Sequence, residues 1–90
     1  MYILTIADRE QDGVYSVVDD DGNDILYLFQ EKDDAIRYTL LLEEDGYPEM
    51  HIIEIEDRVM MKTCEMYGYQ YVLITPDDIV IPPNIDYDLI

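Results

Sequence analysis

Apolar and polar residues alternate along this chain in blocks that separate seven candidate elements. Residues 2–7 are an unbroken run of strand formers from Tyr2 to Ala7, followed by a polar stretch that ends at Gly13. Residues 14–18 and 25–29 repeat the strand pattern. The turn between them carries Gly22-Asn23, so these two strands are expected to form a hairpin. Over residues 32–44 the period changes. Ala35, Tyr38 and Leu42 fall on one stripe, widened by Ile36, Thr39 and Leu41, which predicts a helix. Asp33 and Asp34 at its start suit the helix dipole and the free N–H groups there. Gly46 stands where a left-handed terminator belongs, and Pro48 blocks any continuation.

Residues 50–55 read as a fourth strand and residues 69–75 as a fifth. Between them, residues 56–67 read as a second helix with Met60, Cys64 and Tyr67 on one face, and Gly68 repeats the role of Gly46. The order is strand, strand, strand, helix, strand, helix, strand. Two strand–helix–strand units share the fourth strand. Right-handed crossovers would then set both helices on one face of the sheet. The expected fold is α/β (α+β): a two-layer sandwich of ferredoxin-like flavour, with a mixed five-stranded sheet and two helices on one face. Ile53 and Ile55, with His51 in the same parity, should point toward the helices.

Residues 1–75 read as a single domain and residues 76–90 as an extended C-terminal segment. Three prolines keep this segment from being a helix. Its Ile79, Val80, Ile81, Ile85, Leu89 and Ile90 are too apolar for a free tail. Ile79 to Ile81 are expected to fold back over the domain, leaving residues 86–90 as the exposed contact element.

Charge changes the picture more than length does. The 90 residues include 22 Asp and Glu against 5 Lys and Arg, a net of −17. Such a field repels phosphate backbones and anionic lipid headgroups. Direct nucleic-acid or membrane binding is therefore not expected, and a protein partner with a basic surface is. No apolar run approaches the roughly 20 residues of a membrane helix. The start of the chain lacks the basic, then long apolar, pattern of a secretion signal. With one cysteine, the expected location is the cytoplasm.

Candidate chemistry is sparse. Asp19, Asp21 and Asn23 match the first three ligand positions of a calcium loop. Asp24, however, replaces the glycine of the sharp turn, and Gln30 stands where a closing glutamate belongs. The stretch reads better as a hairpin turn. One His and one Cys allow a His51–Cys64 dyad only if the fold joins them with a third orienting group. Cys64 at a helical core position reads as a small hydrophobe. No phosphate loop or zinc pattern is present, so no cofactor and no metal are expected. Nine tyrosines remain. Tyr67, Tyr69 and Tyr71 cluster around Gly68, and wide amphipathic rings suit protein interfaces. With Asp86, Tyr87 and Leu89 they are the candidate partner-binding residues.

Leu26-Tyr27-Leu28-Phe29, residues 31–34, Ala35-Ile36-Arg37-Tyr38, Leu41-Leu42-Glu43 and Gly46-Tyr47-Pro48 form one connected pattern. The pattern resembles a small uncharacterised family, a domain of unknown function, found in cyanobacteria, plastids and cyanophages. Cys64, Gly68-Tyr69 and the later Ile-Thr-Pro and Pro-Pro elements extend the resemblance over residues 13–83. The short first loop and the Ile- and Asp-rich composition look more like a phage-borne version. The resemblance implies a photosynthetic host but no activity, cofactor or site residue. The expected function is a non-catalytic acidic protein-interaction module, a cyanophage factor acting on a host protein in the host cytoplasm. The alternative is a nucleic-acid mimic that occupies a basic DNA-binding protein, and self-association is left open. A thiol or metal-dependent enzyme is the third reading.

Overall fold

A computed structural model describes residues 1–78, 80–83 and 87–90. Strands β1 (Tyr2–Ile6), β2 (Tyr15–Val18) and β3 (Asp24–Phe29) precede helix α1 (Lys32–Glu44). Strand β4 (Met50–Glu54), helix α2 (Asp57–Tyr67), strand β5 (Gln70–Ile74) and a short strand β6 (Tyr87–Leu89) follow. The helix terminators act where the glycines predict. Gly46 adopts φ +85°, Gly46 N–H donates to Glu43 O at 3.1 Å, and Tyr47 N–H donates to Leu42 O at 3.0 Å. These two bonds satisfy the last carbonyls of α1. Gly68, at φ +68°, lets Tyr69 N–H reach Cys64 O at 3.0 Å in the same way.

Strand β3 is the hub of a mixed sheet. One edge pairs along its length with β5 in parallel, from Ile25↔Gln70 to Phe29↔Ile74. Its other edge is divided between β2, antiparallel at Ser16↔Leu26, and β1, antiparallel at Tyr2↔Phe29. Strand β4 pairs with the far side of β1 through five residues, and β6 with β2. The expected class holds: α+β, a mixed sheet and two helices packed against it.

The helices do not share a face. Successive strand residues point to opposite sides of a sheet, and the core divides accordingly. Leu4, Ile6, Phe29 and Met50 pack with Ala35, Tyr38 and Leu42 of α1. Ile3, Leu26 and Leu28 pack with Met60 and Cys64 of α2. The physical reason is the direction of travel. The β3–α1–β4 crossover runs one way across β1. The β4–α2–β5 crossover runs back across β1 and β3. Two right-handed crossovers taken in opposite directions put their helices on opposite faces. Ile53 and Ile55 accordingly turn toward α2 alone, while Met50 and Ile52 face the α1 side. His51 is exposed.

The C-terminal end is also different from the expectation. Tyr87 and Leu89 are half-buried in a strand on β2, not an exposed arm. Their register on Val17 and Tyr15 turns both onto the α1-side core, and Ile90 packs on the α2-side core. Of the fold-back segment, Val80 packs on the α1-side core and Ile81 is exposed. Ile79 and Asp86 lie outside the described residues.

Candidate functional site

The acidic turn closes on itself. Asp19 Oδ1 accepts the N–H groups of Asp21 at 3.0 Å and Asn23 at 2.8 Å, and Gly22 sits at φ +83°. The carboxylate that would begin a calcium loop is thus engaged in shaping the hairpin. Among the described residues, no group of three or more His, Cys, Asp and Glu side chains is arranged to hold a metal ion.

His51 and Cys64 are not brought into one site. His51 Nδ1 lies 2.6 Å from Glu10 Oε1 at the surface. Backbone N–H groups of Glu10's own turn, and then the His51 contact, hold that carboxyl below its usual range. Cys64 is buried against α2's core partners, and burial pushes its thiol above the usual value, away from the reactive thiolate.

Sequence reasoning missed a buried tyrosine cluster on the α1 side. Tyr15 and Tyr38 are almost fully enclosed, and their hydroxyls share a hydrogen bond of 2.9 Å. Tyr27, Phe29 and Tyr87 add ring contacts at centroid distances of 5.3–6.1 Å. Strand parity could have placed these rings on one side, but not the hydroxyl pairing across 23 residues. Burial pushes Tyr15 up to about 12, and pushes Tyr38 up as well. Unfolded tyrosine ionises near about 10. Above that pH the unfolded chain holds fewer protons than the folded one, so stability falls as pH rises. The contribution is fully present below about pH 10 and is lost progressively as pH rises through about 12 for Tyr15. Alkaline titration followed by ultraviolet phenolate absorbance should therefore show late, cooperative ionisation that coincides with loss of circular dichroism. Gradual ionisation of all nine tyrosines in a folded protein would contradict the buried pair.

Beside this cluster lies a cavity of about 280 Å³ between α1 and the C-terminal segment, with Phe29, Leu41, Ile74 and Val80 in its wall. Asp34 lines it too. Its Oδ1 accepts from Arg37 at 2.8 Å, while its buried Oδ2 has no partner among the described residues. A second cavity, about 210 Å³ and almost wholly apolar, lies beneath α2, between Met60, Leu26, Tyr69 and Ile90.

The most distinctive surface runs from the end of α2 into β5. Tyr67 and Tyr69 stack across Gly68 with centroids 5.5 Å apart and planes 20° apart. Met66 and Tyr67 are 68% and 67% exposed, and Tyr71, Val72 and Leu73 are each more than 40% exposed. Residues 69–76 contain no charged side chain, in a chain where 30% of residues are charged. The structure thus brings Tyr67, Tyr69 and Tyr71 into one patch. Tyr87 and Leu89 lie apart from it, on β6. Leu73 joins the patch on the same side of β5 as Tyr71, whereas Val72, the register partner of Tyr27, is exposed on the opposite side.

No helix among the described residues is long and apolar enough to cross a membrane. No curated protein and no solved structure matches the chain. A family model described as a domain of unknown function, DUF3110, matches residues 1–84, nearly the whole chain and more than the 13–83 of the sequence resemblance. The chain belongs to the DUF3110 family, a domain of unknown function.

Proposed function

We propose that this domain is a non-catalytic protein-interaction module whose partner presents a basic surface. The observation that carries this reading is the uncharged, exposed patch of Tyr67, Tyr71 and Leu73 set in a chain of net charge −17. Contiguous exposed apolar surface on a small domain marks an interaction site. Aromatic residues and Met are the types enriched in protein interfaces. The surrounding negative field attracts basic proteins and speeds their encounter. The same field disfavours direct nucleic-acid and acidic-membrane contacts. Mimicry of nucleic acid draws less support. It needs carboxylates in rows along an elongated face, whereas the acids here gather in the β2–β3 turn, at the helix ends and in the loops.

The family pattern over residues 26–48 and the composition support a photosynthetic setting, the cytoplasm of the host cell, and a phage-borne copy acting on a host protein. Affinity capture with the full chain from a cyanobacterial lysate, at physiological ionic strength, tests this. A protein recovered by the native chain should be lost with Tyr67→Ala combined with Tyr71→Ala, two exposed changes that leave the core intact. Recovery of nothing, or equal recovery by the variant, would overturn the reading.

A further inference from the structure

We infer that the partner is engaged by strand addition: an extended segment of another protein, cationic at its ends and apolar at its centre, pairs with the outer edge of β5. This inference rests on the interaction-module reading and names its contact. Gln30 N–H donates to Ile74 O at 2.9 Å, and Phe29 is the register partner of Ile74. In a parallel ladder this fixes which residues face which way. Gln70, Val72 and Ile74 turn their backbone groups toward β3. Tyr71 and Leu73 turn theirs, N–H and C=O alike, toward the outside. Among the described residues, no strand pairs with that side. At the C-terminal end the edge is already closed, because Asp78 Oδ2 accepts Thr75 N–H at 2.7 Å. The open ladder is therefore two residues with two donors and two acceptors.

Native sheets guard such edges with charged residues, Pro or bulges. The other edge strands of this sheet follow the rule: β4 carries His51 and Glu54, and β6 carries Asp88. Strand β5 carries no charge and no proline. Its side chains supply the selectivity. Tyr71 and Leu73 are register partners of Leu26 and Leu28, so both project on the α2 side, continuous with the stacked Tyr67 and Tyr69. An incoming strand would place alternate apolar side chains against that row. Asp77 follows the uncharged stretch and would meet a cation at one end of the segment, while the net charge of −17 favours cations at both. A second copy of this chain fits less well, since both copies carry −17.

The test uses the full chain and a blocked synthetic peptide, Lys-Lys-Val-Thr-Val-Lys-Lys. NMR titration should move resonances of residues 69–75 most, and amide exchange should slow at Tyr71 and Leu73. Methylating the peptide's backbone nitrogens on one edge, and separately Leu73→Lys, should each weaken binding by at least about tenfold. Leu73→Pro removes an outward N–H at an edge position that tolerates proline, and should do the same. Equal affinity for the methylated peptide, or shifts confined to the acidic loops, would overturn strand addition in favour of plain charge attraction. A dimer in sedimentation, with Tyr71 and Leu73 amides already protected without peptide, would replace the foreign segment with a second copy. If lysate capture survives Leu73→Lys, the module reading stands and the edge does not. If capture recovers nothing while the peptide pairs as expected, the reverse holds.

Discussion

Tyr38→Ala is expected to remove about 3–5 kcal/mol of stability, the range for deleting a buried aromatic ring. The ring projects from α1 onto the sheet, with Phe29 at 5.3 Å, Tyr27 at 5.7 Å and Tyr15 at 5.8 Å between centroids. Truncation loses the transfer energy of the ring and leaves a cavity that rigid neighbours cannot fill. It also strips the Tyr15 hydroxyl of its 2.9 Å partner in a buried site. A domain of this size has about 5–15 kcal/mol in total, so the loss is a large fraction. Two further variants separate the terms. Tyr38→Phe keeps the ring and orphans Tyr15, which should cost about 1–3 kcal/mol. Combining it with Tyr15→Phe removes both hydroxyls, and the double variant should lose less than the sum of the singles. Urea unfolding gives each value. A Tyr38→Ala loss below about 1 kcal/mol would mean that the ring is not the packing centre of the α1 face.

Much of this fold was legible locally. Both glycine terminators, both helices and five strands could be read from the sequence because each depends on neighbours within a few residues. Two decisions could not be read that way. The insertion of β1 between β3 and β4 sets the direction of the first crossover, and no local pattern records it. Once β1 lies there, the return crossover must run the other way, and α2 goes to the opposite face. The same long-range choice leaves β5 at the rim. Its sequence, Gln-Tyr-Val-Leu-Ile, is the continuous apolar run of a buried parallel strand. Only the pairing shows that one side is open. Of the candidate site, the tyrosines around Gly68 were visible because they are adjacent. The unguarded backbone edge beside them was not, since edge status belongs to the sheet and not to the strand. The terminal strand was hidden differently. Three residues with an acid at the centre, Tyr-Asp-Leu, give too short a period to detect after two prolines.

Removing residues 87–90 should therefore destabilise the domain by about 2–4 kcal/mol. Full burial of such side chains would contribute about 1.5–3 kcal/mol each, reduced here because Tyr87, Leu89 and Ile90 are only half-buried and because ordering them has a cost. The strand is anchored at three points. Tyr87 stacks on Tyr15 at 5.9 Å. Ser16 Oγ donates to Asp88 O at 3.2 Å. Val14 N–H donates to Ile90 O at 2.8 Å, and Ile90 N–H returns to Val14 O at 3.0 Å. Beyond the lost burial, deletion bares β2, whose Tyr15 and Ser16 are now fully covered. The truncated chain should also self-associate more readily at high concentration, because a new edge is exposed. Gly13 supplies the internal check. Its backbone lies at φ +130°, and a Cβ there would meet Ile90 N and Leu89 C at 3.0 Å. Gly13→Ala in the full chain must bear both the strained backbone and the clash with β6. In the truncated chain only the strain remains. The two changes should thus be non-additive, with Gly13→Ala costing measurably less after truncation. Thermal unfolding of the four proteins decides the matter. An unchanged Tm on truncation, or equal Gly13→Ala penalties in both backgrounds, would show that the terminal strand is not part of the folded core.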